Sequence, residues 1–142
     1  LYIALIALAG IMVVVVPPGI ISGFLTFAIP EHINSSKLAT HFIGLFLTVA
    51  LPEELFFRGL LLRGLEKATT KKWVPMVVSS LAFGLMHWNN VSDLSTQITY
   101  VLLATIAGVG YAWAYKKSGN NLLAAILTHT LVDWIWKLLL AG

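Results

Sequence analysis

The sequence predicts an all-α fold, a polytopic transmembrane helical bundle of about five spans. Of the 142 residues, 58% are hydrophobic and only 11% are charged, and the mean hydropathy is +0.88. A soluble domain normally has roughly a quarter of its residues charged, whereas a bilayer core selects apolar runs of about 20 residues. Several such runs are present, and no composition shift divides them. We therefore expect a single membrane domain over residues 1–142.

Five apolar segments follow one another along the chain. They cover about residues 1–29, 38–63, 73–88, 95–115 and 121–140. Pro17-Pro18 interrupts the first segment, and the third is short. Because the chain begins at Leu1 and no basic stretch precedes the first apolar run, we expect an N-terminally truncated chain without a signal peptide.

The basic residues predict the orientation of the bundle. Those between the second and third segments are Arg63, Lys67, Lys71 and Lys72, and those between the fourth and fifth are Lys116 and Lys117. Cytoplasmic loops of membrane proteins carry the excess of Lys and Arg, so both loops are predicted to be cytoplasmic. Trp136, near the end of the fifth segment, is interpreted as an anchor at the membrane interface.

Charge and cysteine content exclude several function classes. The net charge of +3 does not indicate a nucleic-acid partner, because the nine basic residues form no contiguous stripe. The chain has no Cys, which excludes disulfides, thiolate catalysis and Cys-based zinc sites.

Six ionisable residues inside the predicted spans are the main functional signal, since a charge in the bilayer centre costs at least about 2.5–3.5 kcal/mol on insertion scales. They are Glu53, Glu54 and Arg58 in the second segment, His87 in the third, and His129 and Asp133 in the fifth. At about 1.5 Å of rise per residue from the proposed cytoplasmic boundaries, the groups fall in one layer of the membrane. Facing helices of a bundle build sites in this way.

The spacing of these residues predicts which of them share a helix face. Glu54 and Arg58 are four apart, which favours an ion pair that neutralises itself in lipid. Glu53 is displaced by about 100° from Glu54 and is left to face other helices, and Pro52 before it should kink the helix. His129 and Asp133 are also four apart, so the carboxylate is expected to orient the imidazole.

Three motifs in this order resemble those of the CAAX protease and bacteriocin-processing (CPBP, Abi) family of intramembrane peptidases, which includes the type II CAAX prenyl endopeptidases. Residues 53–58 resemble its Glu-Glu-x-x-x-Arg motif. Residues 83–87, with Phe83, Gly84 and His87, resemble its Phe-x-x-x-His motif, and Gly84 should allow close helix approach. Residues 129–133 resemble its His-x-x-x-Asn/Asp motif. The resemblance covers about residues 38–140, after a preceding span in residues 1–37.

The resemblance implies an intramembrane endopeptidase that hydrolyses peptide bonds of membrane-associated proteins, prenylated in some members, or of bacteriocin-type peptides. In bacterial relatives it implies a role in bacteriocin maturation or immunity. The expected partners are a membrane-associated peptide or protein substrate and the lipid bilayer, without nucleic acid. The expected location is a prokaryotic plasma membrane, as a multi-pass protein.

Amide hydrolysis needs an activated water, a group that stabilises the oxyanion and an acid for the leaving amine. We expect Glu53 and His87 to deprotonate the water and His129, oriented by Asp133, to stabilise the oxyanion. Glu54 and Arg58 are expected to be supporting residues. No cofactor is required by this scheme.

A metal-dependent version stays open at this stage. Glu53, His87 and His129 supply one carboxylate and two imidazoles, which resemble the ligand set of catalytic zinc. Two other function classes also stay open. The same groups suit a proton- or ion-coupled transporter, although no inverted repeat is visible, and the chain could be a catalytically silent immunity or scaffold protein.

Overall fold

A computed structural model of the chain describes residues 1–28 and 35–141. In this part of the chain the α-helices are α1 (Tyr2–Ile21), α2 (Ser35–Leu45), α3 (Leu51–Glu54), α4 (Arg63–Ala68), α5 (Val74–Leu85), α6 (Leu94–Lys117) and α7 (Leu122–Leu139). Two π-helical segments (Phe46–Ala50 and Leu55–Leu62) flank α3, and a short 3-10 turn (Trp88–Asn90) follows α5. The predicted all-α bundle is confirmed.

Three helices, α1, α6 and α7, are long and apolar enough to cross a membrane. The second predicted span corresponds to one helical path from α2 to α4, and the third to the 12-residue α5 with the turn after it. Because these two segments are interrupted or short, the number of five spans stays a prediction.

The helical path around α3 has wider turns than an α-helix. The backbone N–H of Leu51 donates to the carbonyl of Phe46, five residues earlier. Pro52 follows directly and has no N–H of its own to continue the ordinary pattern. A π-turn accommodates an additional residue and is frequent at functional sites. The predicted local disturbance at Pro52 therefore takes the form of π-helical turns on both sides of α3.

Helix α6 lies at the centre of the bundle and packs against both α5 and α1. The contact with α5 depends on Gly84, where a Cβ atom would lie 2.6 Å from the carbonyl oxygen of Val101 and also collide with Thr105. Gly110 on α6 is similarly covered by Ile11 of α1. The close helix approach predicted at Gly84 is confirmed.

A short strand pair and an ion pair connect parts of the chain that are distant in sequence. After α1, strand β1 (Thr26–Phe27) pairs antiparallel with strand β2 (Leu140–Ala141), which follows α7. At the opposite end of α7, Lys116 donates to Glu66 and so joins the end of α6 to α4. The two loops that were predicted to be cytoplasmic thus lie at the same end of the bundle.

The turn between α6 and α7 is set by local sequence. Gly119 and Asn120 both have positive φ, at 76° and 64°, a conformation that glycine and asparagine adopt more readily than other residues. Asn121 then caps α7, where its side chain accepts a hydrogen bond from the backbone N–H of Leu123. The antiparallel return of α7 along α6 brings its polar residues back to the middle of the bundle.

Candidate active site

Glu53 and Glu54 on α3 point in different directions, as the helical geometry requires. Glu54 is fully buried, whereas the side chain of Glu53 is 26% exposed and lines a cavity. The Glu54 carboxylate accepts a hydrogen bond of 2.7 Å from Nη1 of Arg58, which is also fully buried. The predicted Glu54–Arg58 ion pair is therefore confirmed.

Arg58 also reaches beyond its own helix. Its Nη2 donates to the carbonyl of Gly108 on α6 at 2.6 Å. The guanidinium lies 5.0 Å from the ring centre of Phe83 and 5.3 Å from that of Tyr111, within the range of cation–π contacts. Arg58 thus joins the second predicted span to α5 and α6, in addition to neutralising Glu54.

His129 on α7 is 2% exposed, and carboxylates surround it. Its Nδ1 donates to Oε1 of Glu54 at 2.9 Å. On the other side of the ring, Nε2 lies 3.4 Å from Oδ2 of Asp133 and 3.9 Å from Oε2 of Glu53. Both carboxylates on the Nε2 side line the cavity.

This geometry corrects two details of the expected site. Glu54 does not form a self-contained pair with Arg58, because the same oxygen also accepts the hydrogen bond from His129. The carboxylate that fixes Nδ1 of His129 is Glu54, and Asp133 lies at the opposite ring nitrogen. The four-residue spacing predicted the contact of His129 with Asp133, but it could not predict the contact with Glu54, which lies 75 positions away in the sequence.

His87 lies one turn beyond Phe83, just after the end of α5. Its Nδ1 donates to the backbone carbonyl of Phe83 at 2.9 Å, which leaves Nε2 for other partners. The imidazole packs between the rings of Phe83 and Tyr100, at centroid distances of 4.9 and 5.2 Å. His87 also lines the cavity that contains Glu53.

The cavity has a volume of about 290 Å³ and brings together the four residues predicted to be catalytic. These are Glu53, His87, His129 and Asp133. Most of the remaining wall is aliphatic or aromatic, which is typical of ligand sites with a few polar groups. Three predicted segments therefore contribute side chains to one chamber, as their estimated depths indicated.

Several lining residues carried no charge or motif that would have revealed them. They include Asn90, Tyr100, Tyr111 and Trp136. The ring of Trp136 contacts Phe24 and Tyr100, at centroid distances of 5.7 and 6.4 Å, and its role as an interface anchor stays a prediction. In the sequence, the small residues before Tyr111, including Gly108, indicate a helix face that can pack closely against its neighbours, and this was the one pattern that pointed to Tyr111.

The described residues contain no group of three or more His, Cys, Asp and Glu side chains arranged to hold a metal ion. Zinc ligands must converge to about 2.0–2.3 Å from the ion. The described structure does not bring Glu53, His87 and His129 together in this way, so these three residues do not fit a metal in this arrangement.

The fold and the site define a helical membrane bundle with a polar chamber between its helices. Residues 35–135 match the family described as type II CAAX prenyl endopeptidase Rce1-like. This match covers most of the chain, so the protein belongs to the Rce1-like family, which is a family of proteases. The family resemblance seen in the three motifs is confirmed, and the chain is an integral membrane protein.

One curated relative is also similar. The chain is 25% identical over 108 residues to "Uncharacterized protein YpbD" of Bacillus subtilis (strain 168). The match covers 76% of this chain but 50% of the relative, so the chain spans about half the length of the curated relative it matches. No solved structure matches.

Proposed function

We propose that the chain is a membrane-embedded endopeptidase that hydrolyses a peptide bond of membrane-associated substrates with a water activated by Glu and His. The observation that carries this proposal is the convergence of Glu53, His87, His129 and Asp133 on one largely apolar cavity. Ionisable groups inside a membrane are costly and therefore rare, so four of them facing one chamber support a functional site.

Glu53 and His87 are the groups suited to activate the water. Glu53 is the carboxylate that keeps access to the cavity, and a carboxylate can accept the proton of a water. With Nδ1–H of His87 donating to Phe83, Nε2 presents a lone pair as a second acceptor. A water between the two side chains would lose a proton as it attacks the substrate carbonyl.

His129 is the group suited to stabilise the oxyanion. Nδ1–H is committed to Glu54, so the protonated ring presents Nε2–H as its second donor on the cavity side. An ionised Asp133 accepts hydrogen bonds and cannot donate one to an oxyanion, which suits it to hold Nε2–H between substrates. The protonated Glu53 or His87 would then deliver a proton to the leaving amine.

The proposed substrates are membrane-associated proteins, including prenylated ones, or bacteriocin-type peptides. The mostly apolar and aromatic wall of the cavity supports a hydrophobic substrate segment. The family membership supports a peptide bond as the target. A multi-pass arrangement in a prokaryotic plasma membrane is part of the same proposal.

The test is hydrolysis of quenched fluorescent peptides by purified protein in detergent, with one prenylated peptide and one unmodified hydrophobic peptide. We expect turnover by the wild type and by Glu66→Gln, which removes a carboxylate outside the cavity. Glu53→Gln and His129→Ala should abolish most of it. Equal turnover in all four proteins, or none in the wild type with either peptide, would overturn the proposal.

A chelation arm tests the metal-independent form of the mechanism. Because no residue set in the described part of the chain is arranged for a metal, we expect the same turnover before and after treatment with a strong chelator. Loss of activity on chelation, with recovery on addition of zinc, would contradict the water activation by Glu53 and His87 alone.

A further inference from the structure

The ring of Tyr111, a residue outside the three motifs, lies flat against the imidazole of His129. The two ring centroids are 4.5 Å apart, and the ring planes differ by 14°. Tyr111 is 2% exposed, and Phe83 packs edge-on against it at 5.7 Å. The surrounding contacts therefore hold the Tyr111 ring in one position.

The polar contacts of His129 do not fix the plane of its imidazole ring, and Tyr111 restricts the rotation that remains. The hydrogen bond from Nδ1 to Glu54 at 2.9 Å and the Asp133 carboxylate 3.4 Å from Nε2 constrain two ring atoms, but both contacts still permit the ring plane to rotate about the line through these atoms. Phe83 meets the imidazole edge-on at 5.5 Å. The parallel contact with Tyr111 covers one face of the imidazole and so sets its plane.

Tyr111 is itself placed by the buried network. Arg58 donates to the carbonyl of Gly108, one turn before Tyr111 on α6, and the same guanidinium holds Glu54. A Cβ atom at Gly108 would lie 3.2 Å from Phe83 and 3.3 Å from Arg58, so α6 approaches closely at this level. Arg58 therefore supports His129 twice, through Glu54 at Nδ1 and through α6 at the ring face.

We propose that Tyr111 is the positioning residue of His129. Its ring face holds the imidazole plane, so that Nε2 is directed to the cavity side, where Asp133 and Glu53 lie. The role belongs to the aromatic ring and does not require the hydroxyl, because the contact is between ring faces. This inference rests on the proposed peptidase function, in which His129 stabilises the oxyanion.

The test compares Tyr111→Phe, which keeps the ring, with Tyr111→Leu, which removes it. Tyr115 supplies the matched control, since it lies one turn further on α6, is 1% exposed and does not line the cavity. Misplacement of a reacting group by about 1 Å can cost roughly 100-fold in rate. We expect Tyr111→Leu to lower kcat about 10- to 100-fold with KM nearly unchanged. Tyr111→Phe should keep at least about a third of kcat.

A spectroscopic readout separates positioning from general loss of stability. The order parameter of the labelled His129 imidazole, obtained from nuclear relaxation and assigned through the missing signal in His129→Gln, should fall in Tyr111→Leu, because the imidazole loses the ring contact that holds its plane. The same order parameter should be nearly unchanged in Tyr111→Phe and in Tyr115→Leu. This measurement needs no substrate and therefore stands even if the peptidase proposal fails.

Three results would overturn the inference. They are normal kcat in a folded Tyr111→Leu protein, equal losses in Tyr111→Phe and Tyr111→Leu, and an unchanged order parameter of the His129 imidazole in Tyr111→Leu. If Tyr115→Leu lowers kcat as much as Tyr111→Leu at equal folded fraction, the effect belongs to packing of α6 and the positioning role is rejected. Absent turnover in the wild type together with the expected changes in the His129 order parameter would reject only the peptidase function.

Discussion

Glu53 and Glu54 are consecutive residues of the same type, yet the bundle gives them opposite environments. Glu54 is fully buried, and its Oε1 accepts hydrogen bonds from Arg58 and His129. Among the described residues, Glu53 has no ion-pair partner closer than 3.9 Å, and its side chain opens into the cavity. A rotation of about 100° between neighbours on a helix is enough to produce this difference.

The difference indicates how a membrane protein can combine a stable polar centre with a reactive one. The Glu54–Arg58–His129 network joins three parts of the bundle and neutralises the buried carboxylate with its neighbouring cation. Removal of either partner would leave a buried charge without compensation. Glu53, in contrast, can change protonation without disrupting any short hydrogen bond in the described part of the chain.

The largest expected effect is on activity and comes from Glu53. Replacing Glu53 with Gln removes the proton acceptor, and loss of a general base typically lowers turnover about 100- to 10,000-fold. The melting temperature in detergent should stay that of the wild type, because Glu53 forms no close ion pair in residues 1–28 and 35–141. Peptide hydrolysis measures the expected loss of turnover, and thermal unfolding of the same preparation measures the expected unchanged melting temperature. A strongly destabilised Glu53→Gln protein would contradict the contrast with Glu54.

The next effect is on stability and comes from Arg58. Arg58→Leu leaves the buried Glu54 with the hydrogen bond from His129 but without the guanidinium, and breaking a buried pair in this way costs about 3–5 kcal/mol. The control is Arg63→Gln at the exposed start of α4, which should change the free energy of unfolding little. Reversible unfolding in a mixed detergent, followed by tryptophan fluorescence, gives the difference.

The double variant Glu54→Leu with Arg58→Leu tests whether the loss of stability in Arg58→Leu comes from the carboxylate that is left behind. Replacing both members of a buried pair with apolar side chains is often neutral, so we expect it to recover part of the stability lost in Arg58→Leu. It should remain inactive, because Nδ1 of His129 loses its acceptor. Recovery of activity together with stability would show that Glu54 is not needed to orient His129.

A smaller effect is expected at Gly84, which lets α5 and α6 close around the network. Gly84→Ala places a Cβ against Val101 and Thr105, and overpacking of this kind typically costs about 1–3 kcal/mol. Gly44→Ala is the matched control, because no atom lies within 4 Å of the added Cβ in helix α2. There the melting temperature should stay equal or rise slightly, since Ala favours helices over Gly. Equal destabilisation of both variants would contradict the close approach at Gly84.

The smallest effect concerns Asp93, a carboxylate outside the spans that caps α6. Hydrogen bonds from the backbone N–H and hydroxyl of Thr96 hold the pKa of the Asp93 carboxyl below its ordinary value of 3.8. A carboxylate with a lowered folded-state pKa stabilises the fold fully above its unfolded pKa, and this contribution is lost as pH falls through the folded pKa. The melting-temperature gap between wild type and Asp93→Ala should therefore be complete at neutral pH and shrink well below pH 3.8. A gap that is independent of pH would contradict the assignment.

Local periodicity predicted much of the fold and of the site. Four-residue spacing identified the Glu54–Arg58 pair and the contact between His129 and Asp133. Apolar length identified α1, α6 and α7, and depth along each segment predicted that Glu53 and His87 share one layer. These features depend on the geometry of single helices, which sequence spacing specifies directly.

Contacts between different helices could not be predicted from the spacing of residues within single helices. The hydrogen bond from His129 to Glu54 spans 75 positions and depends on how α7 lies against α3. The stacking of Tyr111 on His129 involves an uncharged residue without a motif, and the contact of Trp136 with Tyr100 in the cavity wall joins residues of two different helices. Each of these depends on the rotation of one whole helix against another, which helix periodicity does not determine.

The π-helical turns beside α3 affect the direction in which the following side chains point around the helix axis. Each π-turn holds one residue more than an α-turn, and one residue corresponds to a rotation of about 100°. The segment Phe46–Ala50 therefore acts as a rotational offset between the start of this helical path and the carboxylates of α3. If the same residues formed a regular α-helix, Glu53 and Glu54 would be turned by about that angle relative to α2. The identity of the carboxylate that meets the cavity is thus encoded partly in the type of helical turn before α3 and not only in residue type.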